Sequence, residues 1–156
     1  MAENSYTVTR STTVAAAPEQ VYAEVEELRR WQGWSPWEDV DPNLQRSYSG
    51  PDRGLGSAYA WKGNRKAGEG HMRVIAAGAP RHVEVAVDFL KPFKSSSVST
   101  FTIEPQEDGT SEVTWSMTGP RTFGLKVMSL VTSMDKLVGK DFEKGLARLK
   151  TVAERA

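Results

Sequence analysis

The sequence predicts an α+β fold: an antiparallel sheet of about seven strands, two short helices after the first strand, and one long C-terminal helix. Three observations predict it. A β-branched alternating run opens the chain, short alternating runs split by turn residues fill 44–119, and the tail carries one unbroken apolar stripe at helical spacing. The 156 residues hold no repeat, no low-complexity tract and no long linker, so 1–156 reads as a single domain around one core.

Thr7 to Ala16 sets Val8, Thr12 and Val14 against Thr9, Ser11 and Thr13, the alternation of an opening strand. Pro18 starts a helix, because the first helical position has no backbone bond to lose, and Glu19 follows where the helix dipole favours an anion. Val21, Val25 and Leu28, with Tyr22 beside them, give this helix one apolar face. Trp31, Trp34 and Trp37 then recur every third residue around Gly33 and Ser35-Pro36, which suits a tight turn or a short second helix stopped by the proline.

Strands are predicted near 44–49, 56–62, 67–77, 81–91, 95–104 and 110–119. Gly50-Pro51-Asp52, Gly63-Asn64, Gly78-Ala79-Pro80, Lys91-Pro92 and Asp108-Gly109 are the corners between them. Connections this short allow hairpins and not parallel crossovers, so the sheet is an antiparallel meander. Over Thr122 to Ala153, Val127, Met128, Val131, Met134, Val138, Phe142, Leu146, Leu149 and Val152 fall within about 60° of one direction on a helical wheel. A helix of about 30 residues is ~45 Å long, so it lies along the sheet and does not cap one end.

Twenty Lys+Arg against twenty Asp+Glu leave no basic field for nucleic acid or an anionic membrane. No cysteine and only two histidines, His71 and His82, argue against disulfides, thiolate zinc, a Cys nucleophile and a His-based metal cage; no cofactor is expected. No apolar run spans a bilayer and none near the start reads as a signal-peptide core, so the expected location is the cytoplasm. Neither the Gly50, Gly54, Gly56 loop nor 63–68 has the Gly-Lys-Ser/Thr ending and following helix of a phosphate loop. No Gly-x-Ser-x-Gly elbow supports a Ser-His hydrolase.

The words of the sequence resemble a known family. Ala17-Pro18-Glu19-Gln20-Val21-Tyr22, Trp31-Gln32-Gly33-Trp34-Ser35-Pro36-Trp37, Trp61-Lys62-Gly63-Asn64, Gly68-Glu69-Gly70-His71-Met72 and Gly139-Lys140-Asp141-Phe142-Glu143-Lys144-Gly145-Leu146 are similar to the START-related SRPBCC superfamily, in its bacterial polyketide cyclase-like branch. The resemblance covers essentially the whole chain. It implies the helix-grip fold, a curved sheet wrapped around the long helix with a cavity between them, whose contents vary across the superfamily. It then sets sheet parity: Met72, Val74, Val83, Val85, Val87, Phe89, Val113, Trp115 and Met117 face inward.

The function this implies is binding, transport or sequestration of a small hydrophobic molecule such as a lipid or an aromatic polyketide. The lining residues expected are Tyr59, Trp61, Phe89, Phe101, Trp115, Met117, Met128, Val131, Asp135, Val138 and Phe142. The aromatic members read equally as core, with the polar tips of Tyr and Trp available to orient a ligand. Asp135, about 40° from the centre of the apolar stripe, is the best catalytic candidate. Its carboxyl there is desolvated, or satisfied by a donor from the sheet, or carried to solvent by a bend in the helix.

The alternative function is a polyketide cyclase or aromatase in which Asp135, with Tyr59 second, moves protons. A second alternative is a protein-interaction module, which needs an exposed apolar patch. Glu69, His71 and Arg73 with Asp88 form an exposed charged row, although a bulge between Gly68 and Gly70 could turn Glu69 inward. His82 reads as a surface residue. Trp34 and Trp37 stand either at the cavity mouth or in a satellite cluster under the small helices. A monomer or homodimer is expected.

Overall fold

The computed structural model describes residues 5–38, 40–65, 67–91, 94–120 and 134–155, side chains excepted at 5, 120 and 134–137. Strand β1 (Ser5–Val14) leads into helix α1 (Pro18–Glu26), and a 3-10 turn follows over Leu28–Gly33. Then come β2 (Gln45–Ser49), β3 (Ala58–Lys62), β4 (Glu69–Gly78), β5 (His82–Lys91), β6 (Ser95–Pro105) and β7 (Ser111–Pro120). Helix α2 (Met134–Arg155) closes the chain. The seven strands form one curved antiparallel sheet in the order β1-β7-β6-β5-β4-β3-β2. This is the helix-grip fold, and each predicted strand is present within two residues of its expected bounds.

Pro18 does open α1, and the exposed N–H of Ala17 is taken by the Gln20 side chain at 3.0 Å, so the first turn is satisfied by the residue three positions on. Val21, Tyr22 and Val25 are its buried face. The predicted second helix is the 3-10 turn, stapled to α1 by two indoles: Trp31 Nε1 donates to Val25 O at 2.8 Å and Trp34 Nε1 to Glu24 O at 3.1 Å. Trp34 is at neither of its expected places. It is fully buried in the main core, its ring 5.8 Å from Phe101 and 5.6 Å from Trp115. The reason is that the 3-10 turn tucks under α1 and drives the indole inward.

Over 134–155, α2 has 22 residues, about 33 Å of helix, and lies along β1. Arg10 Nε meets Glu143 Oε2 at 2.9 Å, Lys150 Nζ reaches Thr13 O at 3.2 Å, and Ala15 N donates to Glu154 Oε2 at 2.8 Å. The earlier part of the predicted helix, from 122 to 133, lies outside the described residues. Gly139 makes the crossing close, since a Cβ there would overlap the Arg10 guanidinium.

Strand register lines the inward side chains into rows across the sheet. The rim row is Ser95, Phe89, Gly70, Trp61 and Arg46. Next is Tyr6, Gly119, Ser97, Val87, Met72, Tyr59 and Tyr48. Below it stand Val8, Met117, Ser99, Val85 and Val74, and deeper still Arg10, Trp115, Phe101 and Val83. The expected parity therefore holds on β4, β5 and β7. His71 faces Asp88 on the outer surface at 3.6 Å, and Glu69, despite a register shift beside it, points out with Lys62 and Lys91. His82 is half-exposed at the start of β5, its Nε2 2.6 Å from Glu84 Oε2.

Candidate functional site

The deep rows are solid. Phe101, Val83, Ile103, Val113 and Trp115 are fully buried, closed over by Trp31, Trp34, Phe142, Leu146 and Leu149. Trp115 lies at the centre, its ring 3.9 Å from Phe142 at 7° and 4.9 Å from Phe101 at 27°. Trp37 covers this stack from outside, 5.7 Å from Trp115, with its indole N–H on Asp141 Oδ2 at 3.3 Å. The stack is purely apolar except for one atom. Trp115 Nε1 is buried without a hydrogen-bond partner, a state that costs about 1–3 kcal/mol.

The rim rows differ in kind. Trp61, Val87 and Phe89 there, and Met117 in the row below, are only partly buried although they face the helix side of the sheet, and Val138 on α2 is partly buried too. Between the large side chains of the flanks, the middle of the floor is small: Ser97, Ser99 and Gly119, with Val87 beside them. Tyr6 at one edge hydrogen-bonds Ser97, and burial raises the Tyr6 pKa above the usual tyrosine value, partly offset by that bond.

At the other flank the rings form a ladder. Arg29 stands 4.2 Å over the Tyr48 ring, Tyr48 stacks on Tyr59 at 4.9 Å, Tyr59 on Trp61 at 5.9 Å, and Trp61 meets Phe89 edge-on at 5.3 Å. Tyr48 and Tyr59 are a cross-strand pair whose ring spacing matches that of neighbouring strands, whereas Tyr59 and Trp61 are two residues apart on β3. Gly70 makes room for the ladder: a Cβ there would lie 2.7 Å from Trp61 Cζ2.

The polar tips of this ladder are already committed. Tyr59 donates to Glu38 Oε2 at 3.0 Å, Gln32 Nε2 donates to the Tyr48 hydroxyl at 2.7 Å, and Trp61 Nε1 donates to Ala67 O at 2.9 Å. Glu38 is 9% exposed and its other oxygen takes Arg46 Nε at 2.8 Å, while Arg46 Nη2 reaches the Glu38 carbonyl at 2.9 Å. Burial first, then the Glu38 charge and hydrogen bond, push the Tyr59 pKa far above the ordinary tyrosine value. The Tyr59 hydroxyl therefore keeps its proton and donates a hydrogen bond to the Glu38 carboxylate. Asp41, 8% exposed, anchors the neighbouring loop by accepting from Asn43 N at 2.8 Å and Asn64 N at 2.7 Å.

Of the sequence-predicted site residues, the structure brings Phe101, Trp115 and Phe142 together in the deep stack and Tyr59, Trp61 and Phe89 in the ladder, with Met117 on the floor between. Val138 packs against the core from α2. Met128 and Val131 lie outside the described residues, as does the Asp135 side chain, although Asp135 falls within α2. Sequence reasoning missed Glu38, Arg46 and Arg10. Parity held the signal for Arg10, which sits between Val8 and Thr12 on the inward phase of β1.

Among the described residues no cluster of three or more His, Asp or Glu could hold a metal, and no helix is long and apolar enough to cross a membrane. A cleft of about 30 Å³ lies between the 3-10 turn and β2, bordered by Leu28, Arg29, Tyr48 and the Gly50 loop. It has room for little more than one or two waters.

A curved seven-stranded antiparallel sheet gripping the helix that follows it is the architecture of the START-related SRPBCC class. Within it the chain belongs to the family described as polyketide cyclase / dehydrase and lipid transport, whose model matches residues 5–154. That description covers proteins that handle hydrophobic molecules. No curated protein matches the sequence. Among solved structures, SA2116 of Staphylococcus aureus, a protein of unknown function, aligns with TM-score 0.72 and 11% identity over 97% of this chain and 94% of that one. CV1439 of Chromobacterium violaceum aligns at 0.67 and 12% over 95% and 97%. Ara h 8.0201 aligns at 0.59 and 13% over 96% and 95%. At such identities the likeness is one of fold.

Proposed function

We infer that residues 1–156 act as one domain that binds a small hydrophobic molecule against the rim rows of the sheet, beneath the start of α2, to carry or sequester it. The observation that supports this reading is a contrast within one sheet face: Phe101, Trp115, Val83 and Val113 are fully buried, whereas Trp61, Val87, Phe89 and Met117 nearer the rim are only partly so. Apolar area supplies the affinity, at roughly 25 cal/mol per Å² before the cost of ordering the ligand. Tyr59, Trp61, Phe89, Met117 and Val138 are the proposed wall, with Phe101, Trp115 and Phe142 as its deep end. Met128, Val131 and Asp135 complete the set from the helical stripe of the sequence.

Native mass spectrometry and thermal-shift screening against fatty acids, phospholipids and aromatic polyketides test it. One class should give a stoichiometric mass increase and a higher Tm, and Phe89→Ala should weaken both. No mass increase and no Tm change with any class would overturn it. The family description also supports a second reading, a cyclase or aromatase. With the Tyr59 hydroxyl held by Glu38, that reading rests on Asp135, and loss of turnover in Asp135→Asn with binding retained is the result that would favour it.

A further inference from the structure

All five tryptophans lie among the described residues, and four of their indole N–H groups have an acceptor: Val25 O for Trp31, Glu24 O for Trp34, Asp141 Oδ2 for Trp37 and Ala67 O for Trp61. Trp115 is the fifth, fully buried and without one. Its packing needs no nitrogen. A phenylalanine would stack on Phe142 and Phe101 in the same way and strand no donor. Register puts Trp115 in the row directly below Ser99 and Met117, and Met117 is the partly exposed member of that upper row. Ser99 is 3% exposed and diagonal to Trp115, a separation that a large aromatic side chain can reach across.

Building on the ligand-binding reading above, we propose that the Trp115 indole N–H and the Ser99 hydroxyl are the hydrogen-bonding subsite at the deep end of the site, and that the ligand is an apolar molecule bearing an acceptor oxygen such as a ketone or ester carbonyl. The indole nitrogen only donates, so it distinguishes an acceptor from a bare hydrocarbon. A carbonyl satisfies the buried N–H, whereas a hydrocarbon of the same shape leaves it unpaired, and unpaired buried groups are what makes such sites selective.

The probes are 2-acetylnaphthalene and 2-ethylnaphthalene, which differ by one carbonyl oxygen, titrated into protein carrying nitrogen-15 in its tryptophans. The wild type should bind the ketone about tenfold more tightly. Only the Trp115 indole resonance, assigned through its contacts with Phe142, should move to low field with the ketone. Trp115→Phe should erase the preference of one probe over the other, and Ser99→Ala should reduce it. Equal binding of the two probes by the wild type, or a preference that survives Trp115→Phe, overturns the subsite and leaves ligand binding standing; this is also the outcome if the N–H rests on a water or a ring face. Binding of neither probe counts against both. If Trp115→Phe does not fold, the wild-type spectrum decides, and an unmoved Trp115 N–H overturns the proposal.

Discussion

Tyr59 gives its hydroxyl proton's bond to a carboxylate that Arg46 already holds, so three side chains from a loop and two strands form one buried polar unit beneath an aromatic ladder. The unit fixes where Tyr59 stands, and Tyr59 in turn supports Tyr48 and Trp61 on either side. Removing the hydroxyl in Tyr59→Phe should cost about 1–3 kcal/mol at neutral pH, because Glu38 loses a donor while still buried. The pH dependence follows from the direction of the shift. Tyr59 holds its proton more tightly folded than unfolded, so its stabilisation is complete below the unfolded pKa, ordinarily 10.0, and is lost progressively as pH rises beyond it. Burial shifts Tyr6, Tyr22 and Tyr48 in the same direction. Urea midpoints from pH 8 to 12, a range set by ordinary tyrosine titration, should therefore fall above roughly pH 10, and fall less steeply in Tyr59→Phe. An identical alkaline slope in both proteins would remove Tyr59 from this account.

Two glycines show how elements are allowed to meet. At Gly70 a methyl group would lie 2.7 Å from Trp61 Cζ2 and overlap the Asp88 carbonyl, so both neighbours are rigid: a stacked ring and a strand backbone. At Gly139 the obstacle is the end of the Arg10 side chain, which can swing, and alanine has the better helix propensity by about 1 kcal/mol. Gly70→Ala should lose about 1–3 kcal/mol through overpacking, and Gly139→Ala clearly less, as read by thermal denaturation. The element plan was legible because its signals are local. Pro18 marks a helix start wherever it stands, Asp108-Gly109 marks a corner, and the Val83 to Phe89 alternation needs no partner to be seen. Glu38 and Arg46 were not legible, since an edge strand reading Gln-Arg-Ser-Tyr-Ser has no apolar alternation and its inward face emerges only once Trp61 and Tyr59 are known to be opposite. Trp34 went astray for a related reason: three tryptophans at equal spacing look alike in sequence, and only the 3-10 turn sorts Trp31 and Trp34 into the core and leaves Trp37 over it.

At the scale of the whole molecule, one sheet face divides its work by depth. The deep rows carry stability, because Phe101 is fully buried between Trp31, Trp34 and Trp115, and Phe101→Ala should cost about 3–5 kcal/mol, lowering Tm by roughly 10 °C with or without a ligand. The partly covered rim side chains, Val87, Phe89 and Trp61, contribute less to folding. Val87 stands mid-floor between Ser97 and Met72, where a larger ring can extend into the open side instead of into packed neighbours. Val87→Trp should therefore keep Tm within a few degrees of the wild type while occupying the place proposed for the ligand. A ligand at about a hundred times its Kd adds close to 2.7 kcal/mol to the wild type by mass action, a rise of about 5–10 °C, and should add nothing to Val87→Trp. Thermal melts of the three proteins with and without the bound molecule separate the two roles. If Val87→Trp keeps the full ligand-induced rise, the molecule does not lie on this floor, and the division of the face into a supporting depth and a binding rim is wrong.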